Sequence, residues 1–163
     1  MCLLDIKGLS IFKKEGALIS NASLSVLAGE SVGLFGESGS GKSVFSLFLL
    51  GLLNPDVFRV SARSAVFFND SGGFNLLSKN EKEWNLFRRH CVSMVFQDPS
   101  VALNPTIICG KQIEEAFFGG GGKKRACLNV LKEVGLKNPE KTYSAFPHEL
   151  SGGQKQRVVI AIA

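Results

Sequence analysis

Residues 36–43 read GESGSGKS, and this stretch decides the fold class of the chain. It matches the pattern G-x-x-x-x-G-K-[ST], in which backbone N–H groups and a lysine surround phosphate groups. The apolar run 31–35 (SVGLF) precedes the loop and predicts a short buried strand. Residues 42–53 follow as an almost wholly apolar helix that Asn54 and Pro55 stop. Strand, glycine loop and buried helix in this order predict a site for the phosphates of a nucleotide.

The residue types of this loop each have a mechanical reason. Glycine adopts positive φ and lets the backbone approach a phosphate closely. The N–H groups of the loop and the positive end of the following helix attract the anion. We expect Lys42 to reach the β- and γ-phosphates and the Ser43 hydroxyl to bind Mg²⁺. The candidate nucleotide-binding residues of the loop are Gly36, Glu37, Ser38, Gly39, Ser40, Gly41, Lys42 and Ser43.

Residues 150–154 read LSGGQ and predict a second anion site. Ser151 and Gln154 have the S-x-x-Q spacing of a capping box, which starts a helix at Ser151. With Ser151 as the N-cap, two glycine N–H groups stay free, and the helix dipole adds a few tenths to about 1 kcal/mol for a bound anion. The candidate residues of this site are Leu150, Ser151, Gly152, Gly153 and Gln154.

Length and composition limit the alternatives. The chain has 163 residues, of which 45% are hydrophobic and 20% charged, and this excludes a disordered chain. Its most apolar run, 44–53, is half as long as the roughly 20 residues that a transmembrane helix needs. Its four cysteines form no C-x-x-C pair, so we expect reduced, mostly buried thiols.

The formal charge of +5 is spread unevenly along the chain. Residues 1–100 carry 10 basic and 9 acidic side chains, whereas residues 101–163 carry 9 basic and 5 acidic ones. A basic half suits nucleic acid, an anionic membrane surface or nucleotide phosphates. No run of aromatic residues alternates with the basic ones, as base stacking would require, so we predict no nucleic-acid partner.

The pattern of apolar runs predicts the remaining strands and helices. The predicted strands are 3–6, 9–12, 18–27, 60–68 and 91–96. The predicted helices are 81–90, 107–118, 123–134 and a last one from Ser151. A capping box of Ser78 and Glu81 starts the first of them, and Gly135 ends the third. Residues 143–150 are a predicted loop, and residues 119–122 are a predicted flexible glycine joint. This order of elements predicts an α/β fold with a largely parallel sheet and a mostly helical insertion between about residues 100 and 150.

The two motifs together resemble those of the nucleotide-binding subunits of ABC transporters. GESGSGKS is similar to the Walker A loop of that family and LSGGQKQR to its signature sequence. Gln97, which ends the apolar run MVF, matches the family's Q-loop, and Phe12 lies where the family places an aromatic residue on adenine. Residues 94–105 (MVFQDPSVALNP) and 146–163 resemble the ATPase subunits of dipeptide, oligopeptide and nickel importers.

The resemblance implies a P-loop NTPase fold of the ABC type, a mostly parallel sheet with a helical subdomain. Residues 1–163 would then be a C-terminally incomplete nucleotide-binding domain. An N-terminal β region and P-loop core would cover about residues 1–98, a helical subdomain about 99–150, and the start of the signature helix 151–163.

The resemblance also implies cofactors and partners. The cofactors are ATP and Mg²⁺, with Lys42 and Gln97 in catalytic roles and Ser43 and Gln97 at the metal. Two nucleotide-binding domains would pair head to tail and hold each ATP between one Walker A loop and the other signature. Membrane-spanning permease subunits, and indirectly a solute-binding protein, would place the chain at the cytoplasmic face of the inner membrane.

The family's catalytic carboxylates and switch histidine follow the signature helix and have no counterpart in these 163 residues. His90 and His148 precede the signature and do not fit the switch position. We therefore expect ATP binding without turnover by this chain, and a motor role in the parent protein.

Two alternatives stay open at this point. The first is a binding module that never hydrolyses ATP, which a phosphate-release assay separates from a motor subunit. The second is a soluble ABC-type ATPase of DNA repair, which salt-dependent DNA binding would indicate. Proteins of that class interrupt the domain with a coiled coil or zinc modules, and this chain has no heptads and no C-x-x-C pair.

Overall fold

The computed structural model describes residues 2–69, 72–78, 80–117 and 123–163. The chain forms two compact units, Met1–Ser93 and Met94–Ala163, each with its own hydrophobic core. The glycine run 119–122, predicted as a flexible joint, lies outside the described residues. The division near residues 98 and 150 that the resemblance implies stays a prediction.

The first unit is built on a five-stranded antiparallel sheet of order β2-β1-β4-β5, with β3 paired to the end of β1. The strands are β1 (Cys2–Lys13), β2 (Gly16–Leu27), β3 (Phe58–Ser61), β4 (Ser64–Asn69) and β5 (Gly72–Asn75). Gly8, at φ 65, lies where the register between β1 and β2 shifts. The two strands predicted at 3–6 and 9–12 are therefore halves of one bulged strand. The strand predicted at 60–68 is instead divided between β3 and β4.

The runs 31–35 and 91–96 do not form the strands predicted for them. All strand pairs among the described residues are antiparallel, and neither run belongs to a ladder. Side chains of the first run are exposed, above all Phe35, whose exposed fraction is 96%. The physical reason is the lack of a pairing partner. Strands β1 to β5 form their hydrogen bonds with one another, and a short parallel strand at 31–35 or 91–96 would need a further strand beside it.

Helix α1 (Lys42–Leu49) begins directly at the predicted loop and buries Phe45 and Phe48. It ends four residues earlier than the predicted boundary at residue 53. Gly51 adopts φ 63, and the N–H of Leu52 donates to the carbonyl of Leu47 at 2.9 Å. This αL ending stops the helix before Pro55 can.

Helix α2 (Glu81–His90) packs an aromatic cluster onto the sheet. The rings of Phe74 and Phe87 stack at 4.4 Å, and Trp84 meets Phe74 edge-on at 4.9 Å. The N-cap of α2 is Asn80, whose side chain accepts the N–H of Lys82. The predicted capping box of Ser78 and Glu81 is therefore wrong.

The second unit is helical among its described residues. Its helices are α3 (Pro99–Ala102), α4 (Cys109–Ala116), α5 (Lys123–Glu133), α6 (Pro139–Ser144) and α7 (Gly152–Ile162), with a 3₁₀ turn at Pro147–Glu149. Helix α6 overlaps the predicted loop 143–150 only at Tyr143 and Ser144; no element was predicted for its first four residues, where Pro139 in the first turn was the available signal. Gly135 ends α5 with φ 78, as predicted.

The core of the second unit contains two of the four cysteines. Cys109 and Cys127 are fully buried with Ile113, Leu131 and Val158. Burial raises the pKa of the Cys109 thiol to about 11 and also raises the pKa of Cys127. Both thiols are thus protonated at neutral pH and act as small apolar groups, as the sequence predicted.

We expect Gly51→Ala to destabilise the first unit more than Gly29→Ala does. Both glycines have positive φ, +63 and +80, so alanine is strained at either position. A Cβ at Gly51 would overlap the Trp84 ring, whereas a Cβ at Gly29 meets nothing within 4 Å. Gly29→Ala should lower the free energy of unfolding by about 1 kcal/mol and Gly51→Ala by about 2 to 4 kcal/mol.

Trp84 is the only tryptophan of the chain, so its fluorescence during urea unfolding follows this unit. Equal losses of stability in the two variants would contradict the packing of Trp84 on Gly51.

Candidate functional site

The loop of residues 36–43 leads into α1 through Gly41, which is the N-cap at φ 91 and makes no side-chain cap. The N–H groups of the first turn of α1 therefore have no capping side chain, and they lie at the positive end of the helix. The N–H of Ser40 donates to the carbonyl of Glu37 at 3.2 Å, which closes a turn within the loop. Gly39 adopts φ 83 in this turn.

The Lys42 ammonium is held by the loop itself. Its Nζ donates to the carbonyl oxygens of Gly36 at 2.7 Å and Glu37 at 2.6 Å, and to Ser40 Oγ at 3.2 Å. The side chain thus folds back over the loop and places its positive charge beside the first turn of α1. A phosphate bound there would offer the same ammonium stronger, charged acceptors.

Two glycines of the loop lie close to neighbouring atoms, and at Gly41 these include atoms of β2. A Cβ at Gly36 would lie 2.7 Å from Ser40 Oγ, and one at Gly41 would lie 2.9 Å from Ile19 Cγ1 on β2. Gly41 also has a positive φ, so a side chain at this position would strain the backbone as well as contact Ile19 too closely. Strand β2 therefore supports the loop at the point where α1 begins.

The second motif, residues 150–154, forms the predicted capping box at the start of α7. The N–H of Gln154 donates to Ser151 Oγ at 3.3 Å, and the N–H of Ser151 donates to Gln154 Oε1 at 2.9 Å. Leu150 is half-buried, and its N–H donates to the carbonyl of Pro147 at 3.2 Å. The motif is thus joined by a backbone hydrogen bond to the 3₁₀ turn that precedes it.

The two glycines of this motif face open space. A Cβ at Gly152 or Gly153 would meet nothing within 4 Å, and neither glycine has a positive φ. Within the described residues, neither packing nor backbone conformation requires glycine at these positions. Their N–H groups are exposed at the N-terminus of an 11-residue helix, where an anion is stabilised.

A family model described as "ABC transporter" matches residues 19–163, which include both motifs. The chain belongs to the ABC transporter family. The match confirms the resemblance that the Walker A loop and the signature predicted.

Curated relatives resemble the chain over nearly its whole length. The dipeptide transport ATP-binding protein DppD of Haemophilus influenzae is 42% identical over 100% of this chain, and the alignment covers 51% of that protein. The oligopeptide transport ATP-binding protein OppD of Bacillus subtilis is 41% identical over 99% of this chain and is covered to 46%. The chain spans about half the length of the curated relatives it matches.

Solved structures confirm the ABC-type fold of a sheet and helices, although the strand pairs among the described residues are antiparallel and not parallel as predicted. A dimeric ATP-binding cassette, MJ0796, in a post-hydrolysis state bound to ADP and Pi, superposes with a TM-score of 0.77 at 25% identity, over 98% of this chain and 68% of that one. The structure of cbiO1 from Clostridium perfringens superposes with a TM-score of 0.72 at 24% identity, over 99% of this chain and 60% of that one.

The structure brings the Walker A residues together in the first unit and the signature residues together in the second. Phe12 belongs to the first unit, where it pairs with Ala17 and Arg59 across the sheet. Its exposed fraction is 40%, so the ring is partly accessible. Gln97 belongs to the second unit, is exposed, and precedes Asp98, which caps α3. None of the described helices is long and apolar enough to cross a membrane.

Sequence reasoning missed the polar groups that hold the second unit together. Gln112 is buried; its Nε2 donates to the carbonyls of Asn104 at 3.0 Å and Ile107 at 2.7 Å, and its Oε1 accepts the N–H of Asn104. It therefore fixes part of the segment 94–105. A glutamine inside a helical pattern carries no signal of these contacts, since they depend on the path of a neighbouring loop.

A second missed group joins α4 to α6. The Tyr143 hydroxyl donates to the Glu114 carboxylate, and Lys111 Nζ lies 2.8 Å from the other oxygen of that carboxylate. The hydrogen bond from Lys111, and to a lesser extent the one from Tyr143, lowers the pKa of Glu114. The hydrogen bond to Glu114 in turn raises the pKa of Tyr143. The cluster is thus charged at neutral pH and stabilises the packing of Tyr143 over Gly110, where a Cβ would overlap the ring.

We expect Ser151→Ala to loosen the start of the signature helix. Alanine removes the acceptor of the Gln154 N–H, and loss of an N-cap costs about 1 kcal/mol. Hydrogen exchange at the amides of Gln154 and Lys155 should quicken by several-fold to about tenfold. Ser151→Asp is the matched control, because aspartate is an equally good N-cap. Slow exchange in Ser151→Ala would show that the capping box does not hold this end of α7.

Proposed function

We propose that this chain is the ATP-binding part of an ABC importer subunit that couples ATP to the uptake of peptides. Family membership and the relatives named for dipeptide and oligopeptide transport support this assignment. The same relatives favour peptides over nickel, the other cargo that the resemblance implies. In the parent protein, ATP binding and hydrolysis would drive transport.

The geometry of Lys42 is the observation that carries the ATP assignment. Its ammonium, the uncapped start of α1 and the turn around Gly39 all lie within residues 36–43, and we propose that a cation, a helix dipole and backbone N–H groups act together there. We propose that the triphosphate of ATP binds the loop 36–43, with Lys42 on the β- and γ-phosphates.

Mg²⁺ is the proposed metal partner of this nucleotide. The Ser43 hydroxyl is exposed on the first turn of α1, and Gln97 carries an exposed amide oxygen. Both are hard oxygen donors of the kind that Mg²⁺ binds. Ser43 and Gln97 would hold Mg²⁺, which would supply charge neutralisation at the phosphates, and the partly exposed Phe12 would stack on the adenine.

The signature is proposed to bind the nucleotide of a second ATP-binding subunit in a head-to-tail dimer. Its support is the open space around Gly152 and Gly153, which no local requirement explains. A dimer is also the state recorded for the similar cassette MJ0796. Permease subunits, and through them a solute-binding protein, are the further proposed partners, with the chain at the cytoplasmic face of the inner membrane and no nucleic acid bound.

We further propose that the 163-residue chain holds ATP without turning it over. It offers groups that position phosphates, and none of its residues resembles the family's catalytic carboxylate. A binding module that never hydrolyses ATP gives the same result for the chain alone, so the role in the parent protein is tested separately by transport.

Lys42→Ala should weaken MgATP binding by at least about tenfold, because it removes the cation that faces the phosphates. Isothermal titration of the purified chain measures this, with Lys82→Ala on the exposed side of α2 as the charge-matched control. The unsubstituted chain should release phosphate from ATP no faster than the Lys42→Ala variant does. Release above that background would contradict binding without turnover, and unchanged binding in Lys42→Ala would contradict the site.

Gly153→Ala should stabilise α7 yet weaken ATP-dependent association of the chain. Alanine in a helix is more favourable than glycine by up to about 1 kcal/mol, and nothing blocks its Cβ here. The methyl group would, however, occupy the space of the proposed phosphate. Sedimentation with MgATP measures association, and thermal unfolding measures stability.

Mixing two defective chains tests the head-to-tail arrangement. Lys42→Ala and Gly153→Ala chains should each associate poorly alone, but a mixture retains one intact composite site and should recover part of the association. No recovery in the mixture would contradict pairing of Walker A with the signature of another subunit.

A further inference from the structure

The C-terminal end of α5 is closed by two backbone bonds and one side chain from the signature helix. The N–H of Gly135 donates to the carbonyl of Lys132 at 2.9 Å, and the N–H of Leu136 to that of Leu131 at 3.1 Å. These bonds leave the last carbonyls of the helix to find other donors. The guanidinium of Arg157 on α7 donates to one of them, the carbonyl of Val134.

Gly135 lies directly against this guanidinium. Its φ of +78 suits glycine in any case, but a Cβ at this position would also overlap Nη1 of Arg157. The positive φ is what requires glycine here, and the guanidinium at the end of the exposed Arg157 side chain lies against it. A cation at the negative end of α5 is favourable as well.

The contact is directional, whereas the rest of the α7 interface is apolar. Val158, Val159 and Ala161 pack α7 into the core of the second unit, and such contacts fix distance better than orientation. The capping box joins Ser151 only to Gln154 within the same helix. Among the described residues, Arg157 supplies the polar tie from the side chains of α7 to another helix.

We propose that Arg157 is a positioning residue of the signature, which fixes the direction of the free N–H groups of Gly152 and Gly153 by tying α7 to the end of α5. The functional meaning of this tie rests on the proposed function, because it matters only if those N–H groups face a phosphate. Gly135 is the other half of the tie.

The test compares Arg157→Ala, Arg157→Lys and Lys155→Ala in the full chain. Lys155 lies on the same helix, and its side chain makes no hydrogen bond or ion pair within the described residues, so it controls for lost charge. Hydrogen exchange and amide NMR shifts are measured at Gln154, Leu136 and the two signature glycines. Arg157→Ala should quicken exchange at Gln154 and Leu136 about tenfold, and should shift the glycine amides.

Rescue separates positioning from general loss of stability. Arg157→Lys should restore most of the glycine shifts, because an ammonium can also donate to the Val134 carbonyl, while exchange at Ile113 in the centre of the core stays unchanged in all variants. Faster exchange throughout the unit, or an equal effect of Lys155→Ala, would overturn the proposal.

A second variant covers the case in which Arg157→Ala does not fold. Gly135→Ala should displace the guanidinium and reproduce the same shifts at Gly152 and Gly153; unchanged shifts would overturn the proposal. MgATP titration of the unsubstituted chain is run beside it. Absent ATP binding would refute the proposed function, and the exchange result would still decide whether Arg157 positions α7.

Discussion

Three hydrogen bonds from the Lys42 ammonium close the Walker A loop over the start of α1. They set the loop's shape, and the shape depends on the surrounding fold, since Ile19 of β2 lies where a side chain at Gly41 would be. The position of the loop therefore depends on both the antiparallel sheet and the short helix α1. On the proposed function, a triphosphate would replace the loop's own carbonyls as the acceptors of the Lys42 ammonium.

The two motifs use the N-terminus of a helix in different ways. At α1 the N-cap is Gly41, which leaves the first turn without a side-chain acceptor and relies on Lys42 for charge. At α7 the N-cap is Ser151, which satisfies one N–H and leaves those of the two glycines exposed. On the proposed function, the first motif would hold a nucleotide through its own loop, and the second would complete a site on another subunit.

Local chemistry explains which elements the sequence could predict. The loop, the capping box at Ser151 and the end of α5 at Gly135 depend on residues close together in the chain, and all three were predicted. The antiparallel sheet and the early end of α1 were missed, because pairing partners and the contact of Gly51 with Trp84 come from distant segments. Arg157 was missed for the same reason.

Hydrogen exchange at the Walker A amides, with and without MgATP, tests the central claim most directly. If the loop that Lys42 closes is the phosphate site, MgATP should protect the N–H groups of residues 39–43, with the largest change at Gly41 and Lys42, where α1 begins. Binding of MgATP with unchanged exchange across residues 36–43 would place the nucleotide elsewhere and contradict the account.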